Sequence, residues 1–403
     1  LDFIVKKKLD LSVVIFLLVV AILGTFTISY MFFSDSWIPT YVKNDEEIDK
    51  LTEAINLIQS HYIGDYNRED IIDGAIAGMV ASLNDQWSFY LTAEEYDSYY
   101  QNLKNQYTGI GIVIKKEAGK EGIVISSVYK NSPAYKAGIM PESIIVGVDG
   151  VDIANMEFSE ASQLMKEKIM QGGLELEIVD KYGVRETVAL VPSVVQVDPI
   201  SYRLIEDDIG LITIENFDAR ASLQFISAIE SLIELGAKGF VFDVRNNPGG
   251  QLRELLTMLD YLLPEGTIFI SKTKGEEPWV ERSDSRNLNM PMTVLINSNS
   301  YSAAEYFAAA LQEFDWATVI GEKTTGKGYA QKTIKLSDES AVHISISEYF
   351  TPKGKSLAGK GIIPDIEVEM DEERGTLLYY GKLDIIDDDQ LQRAIKVLRE
   401  KTE

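Results

Sequence analysis

Apolar residues recur every three or four positions in two stretches near the start of the chain, and this spacing predicts two helices. In EEIDKLTEAINLIQSHY the stripe is Ile48, Leu51, Ile55 and Ile58; in REDIIDGAIAGMVASL it is Ile72, Ile76, Met79 and Leu83. Such stripes suit a packed helical pair or a dimer contact better than a ligand site. The aromatic-rich DQWSFYLTAEEYDSYY follows, and its expected role is packing where the helices meet the next domain. From about Gln101 to Pro192 the period changes. YTGIGIVIKK, GIVISSVYKNSPAYKAGI, SIIVGVDGVDI and LELEIVDKYGVRETVALV predict strands separated by turns, with one helix in FSEASQLMKEKIMQGG. Beyond Val194 strands and helices alternate: DIGLITIENF, SLQFISAIESLIELG, GFVFDV, QLRELLTMLDYLL, MTVLINS, SAAEYFAAALQEF and ATVIGE. That alternation predicts a βαβ core with a mainly parallel sheet. YAQKTIKL and SAVHISISEYF return to strands, and the chain closes with an acidic tail and the amphipathic DDQLQRAIKVLREKT.

Residues 11 to 33, LSVVIFLLVVAILGTFTISYMFF, carry no charge and follow Lys6, Lys7 and Lys8. At about 1.5 Å per residue such a run crosses a hydrocarbon core of about 30 Å, so a transmembrane anchor is expected, with a cleaved signal peptide as the alternative. The lysines place the remainder outside the cytoplasm. The rest of the composition is globular: 45% hydrophobic and 25% charged. With 38 Lys and Arg against 63 Asp and Glu, the net charge of −25 repels phosphate backbones, which excludes nucleic acid as a partner. There is no cysteine, so disulfides, thiol nucleophiles and thiolate metal sites are excluded together. Two histidines, in unrelated regions, do not make a zinc site.

Candidate chemistry sits in the alternating core. Ser302 stands just before an alanine-rich helix in NSNSYSAAEYFAAALQ, and Lys327 follows 25 residues later, bracketed by glycines in GEKTTGKGYAQ. A lysine kept neutral by burial can replace histidine as the base for a serine hydroxyl. Neither His61 nor His343 lies in a turn-like setting, so a Ser-His triad is not expected. Each feature also has a plainer reading. Ser302 and Glu305 match a helix capping box, Ser298 and Ser300 are rival nucleophiles, and a lone lysine in a turn is usually solvated. GEKTTGKG nearly spells a phosphate-binding loop, but Gly328 stands where a hydroxyl is needed and a strand follows in place of a helix. Upstream, FVFDVRNNPGG runs an apolar strand into a sharp turn before a helix. Backbone N–H groups of Gly249 or Gly250 at that turn, with the N–H of Ala303, suit an oxyanion. Asp243 and Arg245 are expected to brace the turn.

RNNPGG, SAAE, GEKTTGKGYAQ and YFTPKGKSLAGKGIIPDIEV, in that order, resemble the carboxyl-terminal processing peptidases, the tail-specific Ser/Lys proteases of the S41 family. The resemblance runs from about residue 45 to the C-terminus. It implies a serine endopeptidase without a cofactor, in which Ser302 is the nucleophile, Lys327 the base and Gln331 the amide that orients it. The pattern is broken at Ala304, where the family usually has a second serine. The resemblance further implies a PDZ domain over 101–192, whose run Tyr107, Thr108, Gly109, Ile110, Gly111 and Ile112 would bind the free C-termini of protein or peptide substrates. The expected fold class is thus α/β and α+β multidomain. It comprises a basic segment 1–10, a transmembrane helix 11–33, a helical region 34–100, the PDZ domain, a βαβ protease core 193–370 resembling the ClpP/crotonase-like fold, and a C-terminal tail and helix 371–403. A homodimer is expected. A non-catalytic PDZ adaptor is the alternative function.

Overall fold

The computed structural model describes residues 45–117 and 119–402. They fall into two units that divide at Gly74 and Ala75. In the first, the helix Asp45–His61 carries the expected stripe, but Ile48, Leu51 and Ile58 are exposed. The helix Arg68–Ala81 begins in this unit and ends in the second, where Met79 and Leu83 are also exposed.

One correction to the expected fold class arises here. Among the described residues no helix is long and apolar enough to cross a membrane. The architecture is therefore a mixed α/β multidomain fold without a membrane-spanning helix among its described elements; the run 11–33 lies outside the described residues.

In the second unit, the strands Ile112–Lys115, Ile123–Val128, Ile144–Val148, Leu174–Val179 and Arg185–Leu190 form an antiparallel sheet in that order. Alternate residues Ile123, Ile125, Ile145, Leu174, Leu176 and Ile178 turn inward against Ala161 and Met165 of the helix Phe158–Met170. The short helix Pro133–Lys136 is an addition to the expected elements, started by a Ser132 hydroxyl that accepts the Tyr135 N–H and by Pro133 at its first position. A two-stranded ribbon, Gln106–Gly109 against Ser193–Gln196, closes the base of this segment.

The following core is a six-stranded sheet in the order Ile200–Ile205, Ile209–Ile214, Gly239–Asp243, Met292–Ile296, Ala317–Gly321, Ile366–Glu367. Its first pair is antiparallel and all the others are parallel. The central strands are mostly apolar, on both faces, because both faces are covered. Helices Ala221–Glu234, Leu252–Leu262 and Ala303–Glu313 pack on one face through Phe225, Leu259 and Phe307. The C-terminal helix Asp389–Thr402 covers the other through Leu391, Ala394, Ile395 and Leu398. Its approach is locked by the buried Arg245, which donates to Asp243 at 2.6 Å and to Asp388 at 2.8 Å. Asp243 and Arg245 do brace the turn.

A third, antiparallel sheet lies over the serine end of this core. Its long strand Ala341–Phe350 pairs with Phe89–Leu91, Gly266–Thr273 and Tyr329–Lys335. The aromatic segment thus enters the protease half as a strand.

Candidate active site

The strand Met292–Ile296 ends at a turn that brings Ser302 to φ 60°, ψ −121°, a left-handed-side conformation a serine holds only when its surroundings over-determine it. Here they do. Buried Ser300 donates to the Val244 carbonyl at 2.8 Å and accepts the Asn297 N–H at 3.0 Å, so it is a strut of the turn and not a free hydroxyl. Ser302 itself donates its N–H to the Glu305 carboxylate at 2.9 Å. The alanines that follow let this helix bury deeply.

Glu305 is the link the sequence reading treated only as a cap. Wholly buried, its carboxylate also accepts the Thr324 hydroxyl at 2.5 Å, the Gly326 N–H at 2.7 Å and the Lys327 N–H at 2.8 Å. Burial pushes this carboxyl above the usual range, against the pull of those donors. One side chain therefore fixes both the serine turn and the lysine loop. The glycines around Lys327 have a packing cause: a Cβ on Gly328 would lie 2.3 Å from the Ala358 nitrogen.

The Lys327 Nζ lies 4.6 Å from the centroid of the Trp87 ring and 6.0 Å from that of Tyr301. Burial lowers its pKa to about 8, while the charges of Asp85 and Glu305 oppose the change. Tyr349 donates its hydroxyl to the Lys327 carbonyl and is also hydrogen-bonded to the Ser302 side chain. Ser302, Ala303, Lys327, Gln331, Gly249 and Gly250 all line one cavity of about 480 Å³, with Leu252, Leu255 and Phe269 as apolar walls.

Of the expected oxyanion donors, Ala303 with Gly249 or Gly250, the Gly249 N–H is already given to Asn247 Oδ1 at 2.7 Å. The N–H groups of Gly250 and Ala303 make no hydrogen bond among the described residues. Gly249 serves by its lack of a side chain. At φ 93° a Cβ there would stand 2.7 Å from the Ser302 Cβ and 2.9 Å from the Ala303 nitrogen. Gln331 reaches the cavity, but its amide donates to the Tyr329 carbonyl at 2.8 Å and to Ser345 Oγ at 3.1 Å, not to Lys327.

Three lining or supporting groups, Asp85, Trp87 and Asp218, escaped the sequence reading. Asp85 and Trp87 come from the aromatic segment taken as packing. His343 faces the same cavity, yet it is stacked on Phe89 at 4.4 Å, bonded to Thr333 at 2.8 Å and pushed down by burial to about 4, so it is neutral at physiological pH. Asp218 is pushed up to about 7 by burial, and its Oδ1 is buried without a hydrogen-bond partner. Its signal in the sequence, a lone Asp after ENF, is too common to notice. No group of three His, Asp or Glu among the described residues could hold a metal ion.

The run assigned to peptide tails is divided by the structure. Tyr107, Thr108 and Gly109 belong to the two-stranded ribbon, paired with Val195, Val194 and Ser193. Ile110 is buried, and the carbonyls of Ile110 and Gly111 accept N–H groups of Ala134 and Tyr129, each at 2.9 Å. Gly111, at φ 83°, is packed so that a Cβ would meet Ser132 at 2.1 Å. Ile112 opens the edge strand Ile112–Lys115, which pairs on one side only among the described residues.

Comparison with known proteins decides the family. The carboxy-terminal processing protease CtpA of Bacillus subtilis (strain 168) is 31% identical over 354 residues, covering 87% of this chain and 73% of that protein. The profile of peptidase family S41 matches residues 208–368. The chain belongs to the S41 peptidases. Profiles for the CtpB N-terminal domain and for PDZ domains match residues 35–95 and 101–178. A probable CtpA-like serine protease of Staphylococcus haemolyticus (strain JCSC1435) is 31% identical over 328 residues, covering 80% of this chain and 65% of that one, so the chain spans about two thirds of that relative. A putative S41 protease structure from Bacteroides fragilis shares the fold, with a TM-score of 0.54 at 17% identity, over 91% of this chain and the whole of that one. This S41 member is a CtpA-like serine protease with a PDZ domain.

Proposed function

We infer that Ser302 is the nucleophile and Lys327 the general base of an endopeptidase that selects substrates by their C-termini. The observation that carries this reading is the buried Glu305 carboxylate, which holds the Ser302 turn and the Lys327 loop together while burial keeps Nζ near neutrality. Neutral Nζ takes the Oγ proton as Oγ attacks the peptide carbonyl carbon. The oxyanion forms against the N–H groups of Gly250 and Ala303, at the starts of two helices. The ammonium returns its proton to the leaving amine, and water then hydrolyses the acyl-enzyme, with Lys327 again accepting and returning a proton. Gln331 acts at one remove, through Ser345, which hydrogen-bonds Asp85.

A substrate tail adds as a strand along Ile112–Lys115, its carboxylate at the Ile110–Ile112 turn. The exposed Ile48, Leu51 and Leu57 support a homodimer through the helix Asp45–His61, and sedimentation of Leu51→Asp as a monomer checks it. Location outside the cytoplasm rests on the uncharged run 11–33 after three lysines; a phosphatase fusion at residue 45, active only when exported, checks that. The central test is kinetic. Ser302→Ala and Lys327→Ala lose cleavage of peptide substrates, and Lys327→Arg is equally inactive because its guanidinium stays protonated. Wild-type turnover by either Lys327 variant would overturn the pairing.

A further inference from the structure

Segment 85–91 is clipped to the protease core at several points, and the indole of Trp87 ends over the lysine. Asp85 accepts the Trp87 N–H at 3.1 Å and the Ser88 hydroxyl at 2.5 Å, forming a tight turn. Ser88 Oγ in turn accepts the Ser345 N–H at 3.1 Å, and Phe89 pairs with His343 in the sheet. The Trp87 ring stacks on Tyr301 at 5.8 Å, with the planes 29° apart, next to Ser302 in the chain. We propose that Trp87 is the positioning residue for Lys327: clamped between the Asp85 turn and Tyr301, its indole face covers Nζ and holds it in the cavity onto which Ser302 opens.

The role is specific to a ring. A lysine carries a flexible four-carbon stem, and the bonds of Lys327 to Glu305 and Tyr349 are made by its backbone N–H and carbonyl. The indole face attracts the ammonium whenever it is protonated, so Nζ stays under the ring through the proton-transfer cycle. The same ring excludes water, and burial outweighs that attraction in setting the lysine's protonation. The other groups facing Lys327 are the carboxylates of Asp85 and Glu305, which favour its charged form, the neutral His343, and the phenols of Tyr301 and Tyr349.

The inference rests on Lys327 being the base, so the test has one catalytic and one non-catalytic arm. In the first, the pH dependence of kcat is measured for Trp87→Ala, Trp87→Leu and Trp87→Phe. Opening Nζ to water moves the acid limb of Ala and Leu up by about one pH unit, which at pH 7 lowers the neutral fraction and kcat about tenfold, while KM stays within twofold. Phe restores both limb and rate. An unmoved limb in Ala and Leu, or a Leu variant as active as wild type, overturns the proposal. In the second arm the background is Ser302→Ala, and Lys327 is reductively methylated across pH and quantified by peptide mapping. The midpoint rises by about one unit in Trp87→Ala if the ring shields Nζ, and an unchanged midpoint overturns the proposal. A wild-type protein that cleaves no peptide sinks the Ser302–Lys327 reading instead, and the methylation arm still decides whether Trp87 holds the lysine.

Discussion

Replacing Lys327 by methionine keeps most of the apolar stem and removes the ammonium, which separates the lysine's chemical value from its cost to folding. Burial lowers its pKa from the ordinary 10.5 to about 8. The unfolded chain therefore binds more protons than the native one between those values, and stability rises with pH across that window. Below pH 8 both states are protonated and the full penalty of burying the charge is present. At about 1.4 kcal/mol per tenfold, a drop from 10.5 to about 8 amounts to about 3 kcal/mol. Lys327→Met should thus be inactive yet more stable than wild type at pH 6 by up to about 3 kcal/mol, a rise in Tm of up to about 4 °C. The advantage shrinks as pH climbs through 8 and is gone near pH 11. Urea unfolding of both proteins at pH 6, 8 and 10, followed by tryptophan fluorescence, reads this directly. A methionine variant no more stable than wild type at pH 6, or one whose advantage does not fall with pH, would refute the claim that the lysine is held against its preferred charge state.

Gly249→Ala should lower kcat by about a hundredfold or more, because its Cβ would stand 2.7 Å from that of Ser302 and 2.9 Å from the Ala303 nitrogen, the proposed oxyanion donor; steady-state kinetics with folding checked by circular dichroism measure it. Asp218, raised to about 7, is the reverse of the lysine: the unfolded state loses its proton first, so stability falls as pH rises from 4 to 7, by at most about 4 kcal/mol. Asp218→Asn should flatten that decline in a series of Tm values, and an unaltered slope would contradict the carboxyl's burial. Amidating a substrate's C-terminus leaves the scissile bond intact and should slow cleavage clearly, since the turn at Ile110–Ile112 then has no carboxylate to bind; equal rates for acid and amide would end the tail-recognition reading.

The parallel core was legible because its strands are apolar runs bounded by turns and separated by helices of the right period, as in GFVFDV and MTVLINS. The strands Gly266–Thr273 and Trp279–Ser283 were not, for they are half-buried, carry charged Lys272, Glu281 and Arg282 among their apolar residues, and gain their identity from pairing with each other and, for the first, with Ala341–Phe350. Phe89–Leu91 is a harder case still: three residues have no period, and they become a strand only because a ten-residue strand offers them an edge.

The same distinction divides the site. Ser302, Lys327 and the glycines were visible because each sits at a turn whose backbone demands show in the sequence. What the sequence conceals is who holds them. Glu305 fits a cap motif, and that motif accounts for one of its four hydrogen bonds; the other three go to a loop about 20 residues away. Trp87 and Asp85 lie more than 200 residues before the lysine they face, and an aromatic there reads as core from any local pattern. A turn can announce itself in a short motif because its backbone demand is local, whereas the protonation state of a buried lysine is set by every chain segment that keeps water away, and only the folded molecule brings those segments together.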